Sequence, residues 1–133
     1  MALLVGVVLA VAVGLFATTS GLDRDRAFYT TVAIVVASYY SLFAVMGGST
    51  RALVVETLLG GAFLALAILG FRSSLWLVVL ALGGHGVFDL AHGAVVSNPG
   101  VPPWWPAFCG AYDVTAAGYL AWLLKSGRIR VAT

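Results

Sequence analysis

Charged residues and cysteines are scarce in this sequence. Charged residues make up 9% of its 133 residues, whereas a soluble domain carries about 25%. The single cysteine, Cys109, excludes an internal disulfide and a metal cluster built from thiolates alone. The net charge of +2 is too small to indicate a nucleic-acid partner, and we expect none.

Apolar residues, in contrast, are abundant. They account for 62% of the chain, and its mean hydropathy is +1.05. They come in blocks of about 20, the length needed to cross a hydrocarbon layer of ~30 Å. No alternating pattern of a β-barrel is visible, and unpaired backbone cannot face lipid, so the blocks must be helical. The sequence predicts an all-α integral membrane protein of one domain, a compact bundle of five transmembrane helices at about residues 2–18, 27–46, 52–71, 75–96 and 107–124.

The basic residues predict the orientation of these helices. All seven lie outside the predicted spans, and with the N-terminus outside only Arg51 faces outward. The other six then lie on the inner side, as the positive-inside rule requires: Arg24, Arg26, Arg72, Lys125, Arg128 and Arg130. We therefore expect an N-out/C-in, multi-pass protein of the cell (inner) membrane. The first span has no basic residue before its apolar run, so we expect a retained helix rather than a signal peptide.

Small residues recur within the predicted helices. Gly6, Ala10 and Gly14 are four apart in the first span, and further glycines follow in the third and fourth, at Gly60, Gly61, Gly83, Gly84, Gly86 and Gly93. Small side chains let membrane helices approach each other closely. We expect this packing to lie within the chain rather than at a dimer interface.

Three of the five acidic residues lie inside predicted spans. Glu56, Asp89 and Asp113 would each cost several kcal/mol facing lipid, so each should face the bundle interior and have a partner. No Lys or Arg lies within the spans to serve as that partner. Histidines, tyrosines, hydroxyls, water or a bound cation remain, although Arg51, close to Glu56 in sequence, could also neutralise that one carboxylate.

Both histidines of the chain lie beside Asp89, in the segment GGHGVFDLAHG. His85, Asp89 and His92 are four and three residues apart, which places them on one face of a helix. At ~1.5 Å of rise per residue the two histidines are about 10 Å apart along the axis, too far to bind one ion together. The predicted topology brings other polar residues to the same outer half of the membrane: Glu56, Asp113, Tyr39 and Tyr40.

Imidazole and carboxylate groups together form the usual ligand set for Zn, Fe or Mn. One ion could lie between Asp89 and either His85 or His92, completed by Asp113 or Glu56. The same five residues could instead perform acid–base catalysis, with a histidine oriented by an aspartate. They could also form a pathway for protons or ions, or a purely structural network of hydrogen bonds. The sequence leaves these alternatives open.

The segment NPGVPPWWP contains all four prolines of the chain, between positions 99 and 106. It joins the helices that carry Asp89 and Asp113, so we expect a stiff lid over the polar cavity that is also anchored at the interface by tryptophan. Aromatic and sulfur side chains near this outer end are the expected lining of a substrate cavity: Tyr39, Tyr40, Trp104, Trp105, Cys109 and Tyr112. Cys109 could also be a nucleophile, although a lone cysteine is more often a packing residue.

The His85-x-x-x-Asp89 spacing in a small helical bundle, together with the stretch from Trp104 to Asp113, loosely resembles the sterol-isomerase-type (EXPERA) membrane domain. This resemblance implies proton transfer on a lipid held between helices, and it covers only these residues. From the residues themselves we expect an enzyme that acts on a lipid or another hydrophobic small molecule by metal or acid–base chemistry. The alternatives are a small transporter or channel coupled to protons or metal ions, and an accessory subunit of a larger membrane complex. A homo-oligomer is compatible with each.

Overall fold

A computed structural model describes residues 1–129, and this part of the chain contains five α-helices and no strand. The helices are α1 (Ala2–Ser20), α2 (Ala27–Met46), α3 (Thr50–Arg72), α4 (Leu75–Val95) and α5 (Trp105–Lys125). All five predicted spans are therefore helical, and their bounds agree with the prediction to within two residues. Arg130, one of the residues used to predict the orientation, lies outside the described range.

Four of the helices, α1 to α4, are long and apolar enough to cross a membrane. Large apolar side chains on their outer faces are exposed, among them Leu4, Val8, Leu58 and Leu90. A soluble protein of this size would not expose such a continuous apolar surface. α5 has 21 residues, as many as α4, but it does not meet the same criterion of hydropathy. Length and composition thus indicate a membrane protein with at least four candidate spans.

Helix ends follow local chemistry. α1 stops at Gly21, whose φ of 85° is readily adopted only by glycine. Ser49 and Ser74 cap the N-termini of α3 and α4 by accepting hydrogen bonds from Ala52 N and Trp76 N. α5 begins two residues earlier than the sequence indicated, because Pro106 occupies its first turn, where a missing N–H does not interrupt the helix.

α4 is the central helix of the bundle and packs against α5, α3 and α2. α3 also packs on α2, whereas α1 lies on α5 at the other side and makes no extensive contact with α2. Residues of α4 and α5 dominate the buried core, with Val78, Leu82, Leu120 and Leu123 almost completely enclosed. The titratable residues of α4, His85, Asp89 and His92, are therefore well shielded from the surroundings, each being at most 2% exposed.

Glycines lie where these helices approach most closely, as expected for packing within the chain. Gly6 contacts the backbone of Phe108, and Gly14 lies against the ring of Tyr119, so both α1 glycines face α5. Gly60 lies against the Ala37 carbonyl of α2. Gly61 and Gly93 have open space around them and take no part in this packing.

Candidate functional site

The centre of the bundle contains a cluster of four buried side chains, His85 and Asp89 from α4 and Cys109 and Asp113 from α5. We call it the α4–α5 cluster. His85 Nδ1 lies 2.7 Å from Asp113 Oδ2 and 3.4 Å from Asp89 Oδ2. The Cys109 thiol lies 3.9 Å from Asp113 Oδ2, close enough to donate a weak hydrogen bond. One potential ligand atom from each residue lies within 4.8 Å of all the others.

Two glycines make this cluster possible. A Cβ on Gly86 would come within 2.9 Å of the Gly110 carbonyl oxygen, and a Cβ on Gly110 within 3.0 Å of the Gly86 carbonyl oxygen. Each glycine precedes an aspartate by three residues, in GVFD (86–89) and GAYD (110–113). Positions three apart lie on the same helix face, so the crossing point of the two backbones also sets the two carboxylates side by side.

Several buried oxygen atoms in and beside the cluster lack a hydrogen-bond partner. Asp89 is 0% exposed, and neither of its carboxylate oxygens makes a hydrogen bond with any residue from 1 to 129. Asp113 Oδ1 and the hydroxyl of the neighbouring Tyr40 are also buried without one. Burying an unpaired carboxylate is expensive, and native proteins normally provide a partner. The donor set of one imidazole, two carboxylates and one thiol could hold a metal ion.

Glu56 and His92 form a separate buried pair. His92 Nε2 lies 2.5 Å from Glu56 Oε1, and the Asn98 side chain donates to the same oxygen at 3.1 Å and to the Tyr40 carbonyl at 3.0 Å. This arrangement agrees with the expectation that the two histidines do not share an ion. Glu56 has no ion pair with Arg51 in the described structure, so the neutralisation considered for that pair is wrong. Arg51 is exposed at the start of α3.

Tyr40 lies between the Glu56–His92 pair and the α4–α5 cluster. Its ring is stacked on the His92 imidazole, with centroids 3.8 Å apart and an interplanar angle of 4°. Its ring centroid also lies 6.0 Å from that of His85, and its buried hydroxyl has no hydrogen-bond partner among residues 1–129. The five predicted site residues are thus divided into two neighbouring groups, and Tyr40 connects them.

A large apolar cleft opens between α1 and α2, and α5 forms its back wall. Its volume is about 540 Å³. Of the six residues predicted to line a substrate cavity, four lie in the lining of this cleft, namely Tyr39, Trp105, Cys109 and Tyr112. Tyr40 is instead buried against His92, and Trp104 is 55% exposed outside the cleft. Because Cys109 belongs to both the cleft wall and the cluster, the two features adjoin.

The loop between α4 and α5 is fixed in place by its neighbours. Gly100 lies against the Phe43 carbonyl and Gly47 at the end of α2, and Asn98 reaches Glu56 and the α2 backbone. Asn98 was not among the predicted site residues, although its position directly before Pro99 in the loop marks it as a polar group at a turn. The paired Gly-x-x-Asp motifs were also a sequence signal for the contact between α4 and α5.

These observations define a class of protein, a compact helical protein of membrane type with a buried His/Asp/Cys/Asp cluster that could hold a metal ion. No family model matches the chain, and no curated protein or solved structure matches it either.

Proposed function

We propose that this protein is an enzyme of the cell (inner) membrane with five transmembrane helices in an N-out/C-in orientation. It binds one divalent metal ion in the α4–α5 cluster. At this metal centre it catalyses a reaction of a hydrophobic molecule that enters from the lipid layer. The observation that carries the proposal is Asp89, a completely buried carboxylate that makes no hydrogen bond within residues 1–129 and lies beside a second carboxylate, with only the His85 imidazole at 3.4 Å as an ionic partner. Within residues 1–129 no Lys or Arg forms a salt bridge with either carboxylate, and His85 is their ionic partner. A divalent cation would balance the two negative charges.

The donor types favour zinc among the metals considered. Imidazole, carboxylate and thiolate are all common ligands of Zn²⁺, which takes four of them in a tetrahedral arrangement. Mn²⁺ prefers oxygen donors, and the usual non-haem Fe(II) site has two histidines and one carboxylate, whereas this cluster has one histidine. Catalytic zinc keeps one position open for water or substrate. Cys109 is the donor that also lines the cleft, so we infer that the substrate approaches from the side of Cys109.

The cleft supports a hydrophobic substrate. It is lined mostly by apolar side chains of α1 and α2, and it adjoins the cluster at Cys109. An apolar pocket that ends in a few polar groups is the usual form of a small-molecule site. A metal centre at such a position can polarise a carbonyl or supply an activated water molecule.

A transporter is the less favoured candidate. It would require polar groups along the whole depth of the bundle, but the buried residues of α4 and α5 on the inner side of the cluster are apolar: Val78, Ala81, Leu82, Ala116, Ala117 and Leu120. This apolar layer favours a site that opens to one side. Proton or zinc flux into liposomes that is lost in Asp89→Asn would overturn this preference.

Metal analysis of the purified protein is the direct test. We expect about one zinc per chain, since the four donors lie close enough together for a single ion. Asp89→Asn should lower the affinity by more than the 10–100-fold that loss of an outer-shell partner typically costs. Glu56→Gln is the matched control, because it also neutralises a buried acid but leaves the cluster intact. Trace metal in the wild type, or equal metal in both variants, would exclude this centre.

A further inference from the structure

The cleft between α1 and α2 has the dimensions of a single extended chain. Its lining along α2 runs from Ala27 to Tyr39, which at ~1.5 Å of rise per residue is a length of about 18 Å. Leu9 and Val13 of α1 face it from the opposite side. Because α1 makes no extensive contact with α2, the cleft opens sideways between these two helices, towards the apolar surroundings of the bundle.

The two ends of the cleft differ in their polar groups. At the end near the α4–α5 cluster it is lined by two tyrosines, Tyr39 of α2 and Tyr112 of α5. Neither hydroxyl makes a hydrogen bond within the part of the chain that the structure describes. Among the described residues Asp25 is the only charged one in the lining. It lies at the opposite end, and its carboxylate already accepts a hydrogen bond from Ala27 N.

These features restrict the chemistry of an occupant. A tyrosine hydroxyl can both donate and accept a hydrogen bond, so a pair of them suits a neutral oxygen-bearing group. An ionised head group would lie in an apolar wall without an opposite charge, which is costly. The remaining lining is aliphatic and aromatic, and it suits a hydrocarbon chain.

We propose that the cleft binds one hydrophobic chain with a neutral oxygen-bearing head group, an alcohol, a carbonyl or an ester. The head group lies between Tyr39 and Tyr112, beside Cys109, and the chain extends along α2 towards Asp25. This assignment rests on the proposed function, because it names the class of substrate that would reach the metal centre. It excludes long-chain anions and cations as substrates.

Photo-crosslinking of the purified full chain in nanodiscs tests the assignment. Three probes carry a diazirine at the same chain position: hexadecanol, hexadecane and hexadecanoate. Of the three probes, we expect hexadecanol to label peptides of α2 most strongly. The double variant Tyr39→Phe/Tyr112→Phe keeps both rings and should reduce apparent hexadecanol affinity about tenfold, the effect of losing one or two hydrogen bonds of ordinary strength. Hexadecane labelling should not change.

Two further variants serve as controls. Tyr29→Phe makes the same chemical change at a buried tyrosine outside the cleft lining and should leave hexadecanol labelling unchanged. Val32→Trp fills the cleft and should abolish labelling by hexadecanol. Stronger labelling by hexadecanoate, or hexadecanol labelling that neither the double variant nor Val32→Trp alters, would overturn the assignment.

Metal content, measured on the same samples, separates this inference from the proposed function. We expect the double tyrosine variant to retain its zinc, since neither tyrosine belongs to the donor set. Selective hexadecanol labelling in a protein without metal would remove the metal centre and leave the cleft assignment standing. Bound zinc without selective hexadecanol labelling would remove the cleft assignment and leave the metal centre standing.

Discussion

His92 and Glu56 show, at the residue scale, how a buried pair can be separated from a neighbouring site. The two side chains are 2% and 1% exposed and share a 2.5 Å hydrogen bond, and Asn98 also donates to Glu56. The α4–α5 cluster, in contrast, leaves carboxylate oxygens without partners. A satisfied pair stabilises the arrangement of helices, whereas an unsatisfied buried group has bonding capacity left for an ion or a water molecule.

This difference predicts a stability effect for His92→Ala. Loss of one member of a buried ionic pair typically costs about 3–5 kcal/mol, because the other remains buried and unpaired. We expect a large decrease in the free energy of unfolding, measured by denaturation in mixed micelles, with zinc content unchanged in the folded fraction. The double variant His92→Ala/Glu56→Ala should recover part of the loss. Additive effects of the two single changes would contradict a direct pair.

A second prediction at this scale concerns Cys109, which is both a donor and part of the cleft wall. If it closes the cleft side of the metal site, Cys109→Ala should leave His85, Asp89 and Asp113 to hold the ion, as three protein ligands hold catalytic zinc. We expect the variant to retain zinc with weakened affinity, and to lose less affinity than Asp89→Asn. Competition with a chelator of known affinity measures the zinc affinity of both variants. Complete loss of zinc in Cys109→Ala alone would indicate a closed, structural site.

At the scale of elements, the crossing of α4 and α5 determines whether the cluster forms. The backbones touch at Gly86 and Gly110, and the aspartates follow three residues later on each helix. α1 uses the same principle on the outer side of α5, through Gly6 and Gly14. Helix separation, rather than the presence of the acids alone, therefore sets the geometry of the site.

Gly86→Val tests this dependence. Its added atoms would collide with the Gly110 carbonyl and with Asp113, so we expect about 1–3 kcal/mol of destabilisation, the usual effect of overpacking. Zinc affinity should fall although no donor is altered. Gly61→Val is the matched control, since open space surrounds Gly61. Equal zinc affinity in the two variants would show that the crossing does not control the site.

At the scale of the whole molecule, the positions of the loops relative to a membrane are open to measurement. The proposed orientation places Thr50 outside and Ser73 inside, at opposite ends of α3. In a Cys109→Ala background, Thr50→Cys should react with a membrane-impermeant maleimide in intact cells, and Ser73→Cys should react only after lysis. The reverse pattern would give the opposite topology. Native Cys109 is 2% exposed and should react slowly in either condition.

Sequence reasoning gave the helices closely, because apolar blocks of membrane length separated by glycine, proline and charge leave few alternatives. It also identified the buried acids and histidines, since a charge inside a span needs a partner. It could not show which acid pairs with which histidine. The choice of Asp113 for His85, and of Glu56 for His92, depends on rotations and crossing points of helices far apart in sequence. Tyr40 and Trp104 lie outside the cleft that Tyr39 and Trp105 line, because neighbours in sequence point to different sides of a helix.

The distribution of the two polar groups over the helices has a consequence for biosynthesis. During N-to-C synthesis α3 and α4 emerge before α5, so Glu56 and His92 can pair within one helical hairpin. Asp89 can meet Asp113 and Cys109 only after α5, the last helix, has been synthesised. In the interval its same-helix neighbour His85, one turn away at 3.4 Å, is the interim partner available to it. The i,i+4 spacing in α4 would therefore keep an imidazole beside Asp89 until α5 has been synthesised.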